Sequence, residues 1–409
     1  MDFDLIVIGA GAVGLAVAAE LAPRGSVLII EREDGYGRGI SSRNSEVVHA
    51  GIYYEPGSLK ARLCVEGRRR IETWAAEGRF AYRRVGKFIV ATEEDERPAL
   101  QALLDRGRVN GVPELRPAAP EELAALPALR VCAALWSPDT GILDSHGLMR
   151  FLLERAQAGG AELVLNSLVT ALRPVAGGWE LEVEEAGTDK VSDEESDSTS
   201  DTVSLDPSSS VDTLPRILPV RGPRTTVSAR RVVNAAGLYA DQIAALAGLD
   251  VEGEGLRQYW CRGEYFAPAP GAALPLAHLV YPVPPAEGQG HLGIHVTLDL
   301  AGGLRFGPSV EWLSPPGRRR EDYAQDLRLR PLFARNLRRF LPEVREEDLL
   351  PAGVGLRPRL RPSRDFVIRE ESGRGLPGLV TLIGVESPGL TCAPAIGRMV
   401  GQLLESPNL

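Results

Sequence analysis

Cysteine is scarce and poorly placed for metal or disulfide chemistry. Cys64, Cys132, Cys261 and Cys392 stand far apart and form no CxxC pair, so no structural metal site and no disulfide framework is expected. A reducing, cytoplasmic compartment fits that thiol usage. No run of 18 apolar residues occurs, which leaves no candidate membrane span, although association with a membrane surface stays open. The apolar N-terminus lacks the basic region of a signal peptide, with Asp2 and Asp4 in its place. Basic runs are short: Arg68-Arg69-Arg70 and Arg318-Arg319-Arg320 read as solvated faces, so nucleic acid is not an expected partner. The formal charge of −9 comes from one stretch, since Glu184 to Thr213 holds ten acids against one lysine.

What is present is a soluble, two-domain composition, with 44% hydrophobic and 25% charged residues over 409 positions. Residues 4–9 (DLIVIG) read as a buried strand, followed by a Gly-rich turn, an Ala-rich helix to about Arg24 and a second buried strand at 26–31 (SVLIIE). Continuous apolar runs of this kind belong to parallel strands covered on both faces. Further along, 58–78 reads as a helix, 85–92 as a strand, 95–130 as mainly helical, 146–158 as a helix and 161–165 as a buried strand. Alternation over 168–184 around Gly177-Gly178 predicts a hairpin. The segment 185–225 is rich in Ser, Asp and Glu and reads as a disordered acidic insertion. Strands follow at 229–237 and in several alternating segments of 257–312, then a helix at 321–340, a last strand at 378–384 and a helix from about 392 to 405.

The fold class expected is α/β. A discontinuous Rossmann-like domain over 1–80, 140–245 and 350–409 would be interleaved with an α+β domain, mainly antiparallel, over 81–139 and 246–349.

Gly9-Ala10-Gly11-Ala12-Val13-Gly14 matches GxGxxG. Here the pattern follows a strand, opens a helix and lies in a unit that ends at Glu31. Gly9 permits the tight turn, Gly11 lets the backbone approach a pyrophosphate, and Gly14 lets helix and strand close up. Exposed N–H groups and the helix dipole then attract phosphate, and Glu31 accepts from an adenosine ribose. The pattern alone does not separate FAD from NAD. Two more strand-to-Gly turns, VVNAAG at 232–237 and GVESPGLTCAPAIG at 384–397, suit an extended FAD touched by three separated segments.

Together these residues resemble the D-amino-acid oxidase-like flavoproteins. Within them, the sequence is most similar to the L-2-hydroxyglutarate dehydrogenase/oxidase family. The stretch 44–67, NSEVVHAGIYYEPGSLKARLCVEG, carries most of the likeness, with CRGEYF (261–266), YPVP (281–284), LGIHVT (292–297) and FGP (306–308) in support. GLRPRLRPSRDFVI (355–368) is similar to amino-acid-oxidase relatives. The resemblance implies FAD as cofactor, oxidation of an L-2-hydroxy acid such as L-2-hydroxyglutarate, and an electron acceptor that is oxygen or a quinone. An amine or amino-acid oxidase on the same fold is the alternative.

Oxidising a 2-hydroxy acid needs a base at the hydroxyl and a cation for each carboxylate. The resemblance places a functional histidine at His49; a tether for the flavin and a packing residue are its other readings. It places a carboxylate-binding arginine at Arg357. Lys60 and Arg262 are candidates for a second cation, reading otherwise as a solvated helix residue and as a partner of Glu264, while Tyr53, Tyr265, Tyr281 and His295 are candidate polar contacts whose other reading is packing. Cofactor contacts are expected at Gly9, Gly11, Ala12, Val13, Gly14, Glu31 and Arg32, at Ser41, Ser42, Arg43 and Asn44, at Val169, Ala236 and Gly237, and at Gly384, Pro388, Gly389, Leu390 and Thr391. The start of the last helix, near Thr391, would supply positive dipole to the reduced ring.

Overall fold

In the computed structural model, the described residues are 1–185, 223–272, 274–284, 293–313, 323–362 and 364–405. Two large sheets organise them. The first has eight strands, and its centre is parallel. Phe3–Ile8 pairs in parallel with Val27–Ile30 on one side and with Arg224–Asn234 on the other, and Val27–Ile30 pairs in parallel with Glu162–Val164. These strands are apolar throughout because helices cover them: Val7, Ile29 and Val233 are completely buried.

Arg224–Asn234 is long enough to hold two different neighbours on its second edge. Its first half pairs antiparallel with Gly178–Glu185, and its last three residues pair in parallel with Leu379–Ile383. The hairpin expected over 168–184 is present, Ser167–Val175 returning as Gly178–Glu185 through Gly177 at φ +80°. The acidic insertion expected over 185–225 lies mostly outside the described residues. Its borders are ordered strand, since Glu185 and residues 224–225 pair in this sheet.

The second sheet has nine strands and is antiparallel except where Leu279–Pro282 runs parallel to Lys87–Ala91. Leu349–Leu360, read from sequence with the nucleotide portion, pairs along its length with Gln258–Pro268 in this second sheet. A short three-stranded sheet joins Val47–Val48, Gly141–Leu143 and Tyr82–Arg83.

Some helices are shorter than their apolar patterns suggest. The 95–130 region forms Arg97–Val109 and Pro120–Ala124, with the short strand Arg116–Pro117 between them. The described part of 321–340 forms only a 3-10 turn and Arg330–Leu337. Pro331 sits in its first turn, the one place where a missing N–H breaks no helical hydrogen bond.

Candidate active site

The strand Phe3–Ile8 delivers the chain to Gly9, which adopts φ +106°. Its N–H donates to the Ile30 carbonyl at 2.8 Å, and a Cβ there would lie 2.5 Å from the Ala235 oxygen. At Gly14 a Cβ would lie 1.9 Å from the Gly9 oxygen. Both glycines are therefore steric requirements of the turn. The helix Ala12–Leu21 starts at Gly11 with no side-chain cap. In the first turn the N–H groups of Val13 and Gly14 thus stand in the arrangement that binds phosphate. Ser41 Oγ accepts the Ala12 N–H at 3.0 Å and so pins the 40–44 loop over that helix end.

Glu31 is buried, which raises its pKa, yet its two oxygens accept the N–H groups of Ala10 at 2.8 Å and Glu33 at 2.9 Å. Each oxygen keeps acceptor capacity for a hydroxyl donor such as a ribose. A Gly-rich helix start beside a fixed carboxylate fits the adenosine diphosphate half of FAD. Arg32 lies with its guanidinium 4.4 Å from the Tyr239 ring.

The two other Gly-rich turns end adjacent parallel strands. Gln258, 1% exposed, ties them together. Its amide donates to the Gly237 carbonyl at 2.9 Å, and its oxygen accepts the Gly384 N–H at 2.7 Å. A glutamine at the start of an alternating strand carries no sequence signal for this role. Among the other expected cofactor contacts, several are engaged inside the protein. Val169 packs with Ile8, Leu28 and Ile30. The Ala236 N–H donates to Asn234 Oδ1 at 3.3 Å. Ser42 Oγ donates to the Gly39 carbonyl, and Asn44 closes its own loop, donating to the Ser41 carbonyl and accepting from the Glu46 N–H. Arg43 stacks 4.1 Å over Tyr323.

His49 is held by its backbone from two sides. Its N–H donates to Thr391 Oγ1 at 3.1 Å, and its carbonyl accepts from Cys64 Sγ at 3.3 Å. Thr391 is fully buried and also donates to the Val47 carbonyl at 3.3 Å. It stands just after Gly389 and Leu390, where the helix Gly389–Glu405 begins behind Pro388. Helix Leu59–Ala76 reaches the same point, because a Cβ on Gly67 would be 2.0 Å from the Thr391 oxygen. Thr391 is thus a positioning residue for His49. Thr391→Val keeps the shape but removes both hydrogen bonds, at roughly 1–3 kcal/mol for the buried groups left unpaired. We expect kcat to fall about tenfold with KM nearly unchanged, checked by steady-state kinetics at matched flavin content.

The His49 ring opens onto a group of buried polar atoms without partners. His49 Nδ1, the Tyr53 and Tyr281 hydroxyls and Arg357 Nε are all unpaired among the described residues. His49 Nε2 lies 3.4 Å from Ser387 Oγ. Tyr53 and Tyr281 stack with ring centres 6.5 Å apart, and Tyr281 stacks on His295 at 3.8 Å. Burial, helped by Lys87 and His295, pushes the His49 imidazole down to about 3. His295 is likewise pushed to about 3 by burial, with Lys87 and Arg357 adding to the effect. Both rings are therefore neutral at ordinary pH, the state in which an imidazole accepts a proton. Arg357 donates to the Ser309 carbonyl at 3.3 Å and contacts Cys261 Sγ at 3.4 Å, with no carboxylate in ion-pair range among the described residues.

The two further cations expected from sequence are already occupied. Lys60 pairs with Glu386 at 3.3 Å, and Arg262 pairs with Glu264 at 2.9 Å. Tyr265 is half-buried, and removal from water raises the pKa of its hydroxyl. A cation not anticipated from sequence lies at the centre of the cluster: Lys87, 1% exposed, with Nζ 4.5 Å from the Tyr53 ring and 4.7 Å from the Tyr281 ring.

Comparison with known proteins identifies the family. The sequence pattern of the family described as FAD dependent oxidoreductase (DAO) matches residues 4–403. The mitochondrial L-2-hydroxyglutarate dehydrogenase of Arabidopsis thaliana is 37% identical, covering 97% of this chain and 82% of that protein. The L-2-hydroxyglutarate dehydrogenase of Indibacter alkaliphilus is 27% identical over 98% of both. Among solved structures, dithionite-reduced L-alpha-glycerophosphate oxidase from Mycoplasma pneumoniae, with FAD bound, superposes with a TM-score of 0.76 at 24% identity, covering 98% of this chain and 94% of that one. Glycine oxidase from Geobacillus kaustophilus gives 0.72 at 21%, with the same coverage. From the glycine turn to the buried polar cluster, this chain belongs to the DAO family of FAD-dependent oxidoreductases, on its L-2-hydroxyglutarate dehydrogenase branch.

Proposed function

We propose that the protein oxidises L-2-hydroxyglutarate to 2-oxoglutarate. The observation that carries this reading is the placing, in one cluster of buried polar atoms, of His49 with Arg357, an arginine that has no carboxylate partner among the described residues. Oxidation of the alcohol releases a proton from the hydroxyl and a hydride from C2. His49, neutral through burial, takes the hydroxyl proton. Arg357 holds the carboxylate next to the reacting carbon and so orients C2. Bound FAD would supply the hydride acceptor. Gly9, Gly11, Ala12, Val13, Gly14 and Glu31 hold its adenosine diphosphate half, and the turns around Gly237 and Gly384 border the rest of its path. In this scheme, residues 1–80, 140–245 and the chain after Leu360 form the nucleotide unit, and 81–139 with 246–360 form the substrate unit, whose strand Leu349–Leu360 carries Arg357. Oxygen or a quinone would serve as the final electron acceptor, with the enzyme in the cytoplasm or at a membrane surface. Among the described residues no helix is long and apolar enough to cross a membrane.

The test is anaerobic mixing of the yellow holoenzyme with L-2-hydroxyglutarate. Rapid bleaching of the long-wavelength flavin band is the expected result. Absence of bleaching with this substrate, alongside bleaching by an amine or amino acid, would overturn the reading.

A further inference from the structure

Lys87 has no part in the chemistry described so far, and its position is costly. It sits in the strand Lys87–Ala91, every residue of which is buried. No carboxylate lies within ion-pair range of it among the described residues. The groups around it are Tyr53 and Tyr281, which bracket the ammonium, His49 and His295, both neutral, and Cys64. Aromatic faces attract a cation but do not neutralise it. A buried charge without a counter-ion is strongly unfavourable, and burial pushes the Lys87 ammonium down to about 7. The surrounding polar atoms are also unsatisfied, including the Tyr53 and Tyr281 hydroxyls and His49 Nδ1. An anion that also accepts hydrogen bonds from hydroxyls would satisfy the whole group at once.

We propose that Lys87, with the hydroxyls of Tyr53 and Tyr281, binds the second carboxylate of the substrate, so that the site selects a dicarboxylate over monocarboxylic 2-hydroxy acids. This rests on the reading above that a 2-hydroxy acid is the substrate. Lys60 and Arg262 are displaced from that role by their own carboxylate partners. Arg357 then serves the carboxylate common to all 2-hydroxy acids, and Lys87 the one that distinguishes hydroxyglutarate.

The decisive comparison is Lys87→Met against the wild-type holoenzyme, with L-2-hydroxyglutarate and L-2-hydroxybutyrate as substrates. Loss of a buried charge contact of this kind is expected to lower kcat/KM for the dicarboxylate about 100-fold or more while moving the monocarboxylate by no more than roughly threefold. Equal losses on both substrates overturn the proposal, as does an unchanged ratio.

A measurement on the wild type keeps the question open to refutation if the variant fails to fold. Glutarate and butyrate are titrated against the oxidised flavin spectrum at several pH values. The ammonium is lost as pH rises through about 7, so the preference for glutarate over butyrate should be large on the acid side of that value and fade on the alkaline side. A preference that is absent, or flat across that range, overturns the assignment. These titrations need no turnover. A protein that favours glutarate but does not oxidise L-2-hydroxyglutarate would reject the proposed reaction and leave the Lys87 assignment standing.

Discussion

Substitution of His49 by Gln is expected to lower kcat for L-2-hydroxyglutarate by roughly 10²–10⁴-fold, the usual contribution of a positioned base. Flavin content should be retained, because the contacts that fix this segment are made by the His49 backbone, through Thr391 and Cys64, and survive the change. Burial has depressed the imidazole to about 3. The proton-accepting form is therefore lost only as pH falls through that value, and no acid limb from His49 is expected in kcat/KM above the ordinary carboxylate range. The alkaline side differs, because the Lys87 ammonium disappears as pH rises through about 7. Measured pH profiles of kcat and kcat/KM for wild type and variant check both points. A His49→Gln enzyme with near-normal kcat would remove the histidine from the chemistry and return it to packing.

Arg357→Met should reduce kcat/KM by about 30- to 1000-fold, corresponding to roughly 2–4 kcal/mol for losing one member of a desolvated charge pair. Unlike Lys87→Met, it should penalise hydroxyglutarate and hydroxybutyrate alike, because both carry the carboxylate beside C2. The strand that presents Arg357 pairs with Gln258–Pro268 along its whole length, so loss of one side chain should leave the fold intact. Circular dichroism and flavin content establish that before the kinetics are compared. If the two substrates separate in this variant, Arg357 and Lys87 have exchanged carboxylates.

The nucleotide half of the site was legible in the sequence because its requirements are local. Gly9, Gly14 and Glu31 act within a single strand–helix–strand unit, where steric and hydrogen-bonding demands map directly onto residue type. The substrate half was only partly legible. His49 and Arg357 are singled out through resemblance, and the structure brings them to one cluster with His295, Tyr53 and Tyr281. Lys60 and Arg262 are candidates for a second cation from sequence, and the structure gives each a carboxylate partner. The Glu264 partner of Arg262 lies two positions away on the same strand and was visible, but Glu386, which holds Lys60, comes from a distant turn. Lys87 did leave a trace: one charge inside the apolar run VGKFIVA. In a strand buried on both faces, such a residue has no route to water and must meet a ligand or a partner. Gln258 and the backbone clamp from Thr391 left no trace, since both depend on which distant turns the sheets bring together.

The helix that opens at Gly11 takes much of its cover from residues far along the chain. Gly397, in the helix Gly389–Glu405, comes so close that a Cβ there would lie 2.5 Å from the Ala16 oxygen, and the strand Leu379–Ile383 completes the sheet beside Asn234. During synthesis the phosphate-binding turn therefore leaves the ribosome early but stands half-covered until residues 379–405 arrive. Cofactor capture is then a late step in the life of each molecule. A cell short of flavin accumulates finished chains that lack a ligand, with that stabilising contribution missing, and these become the natural substrates of its proteases.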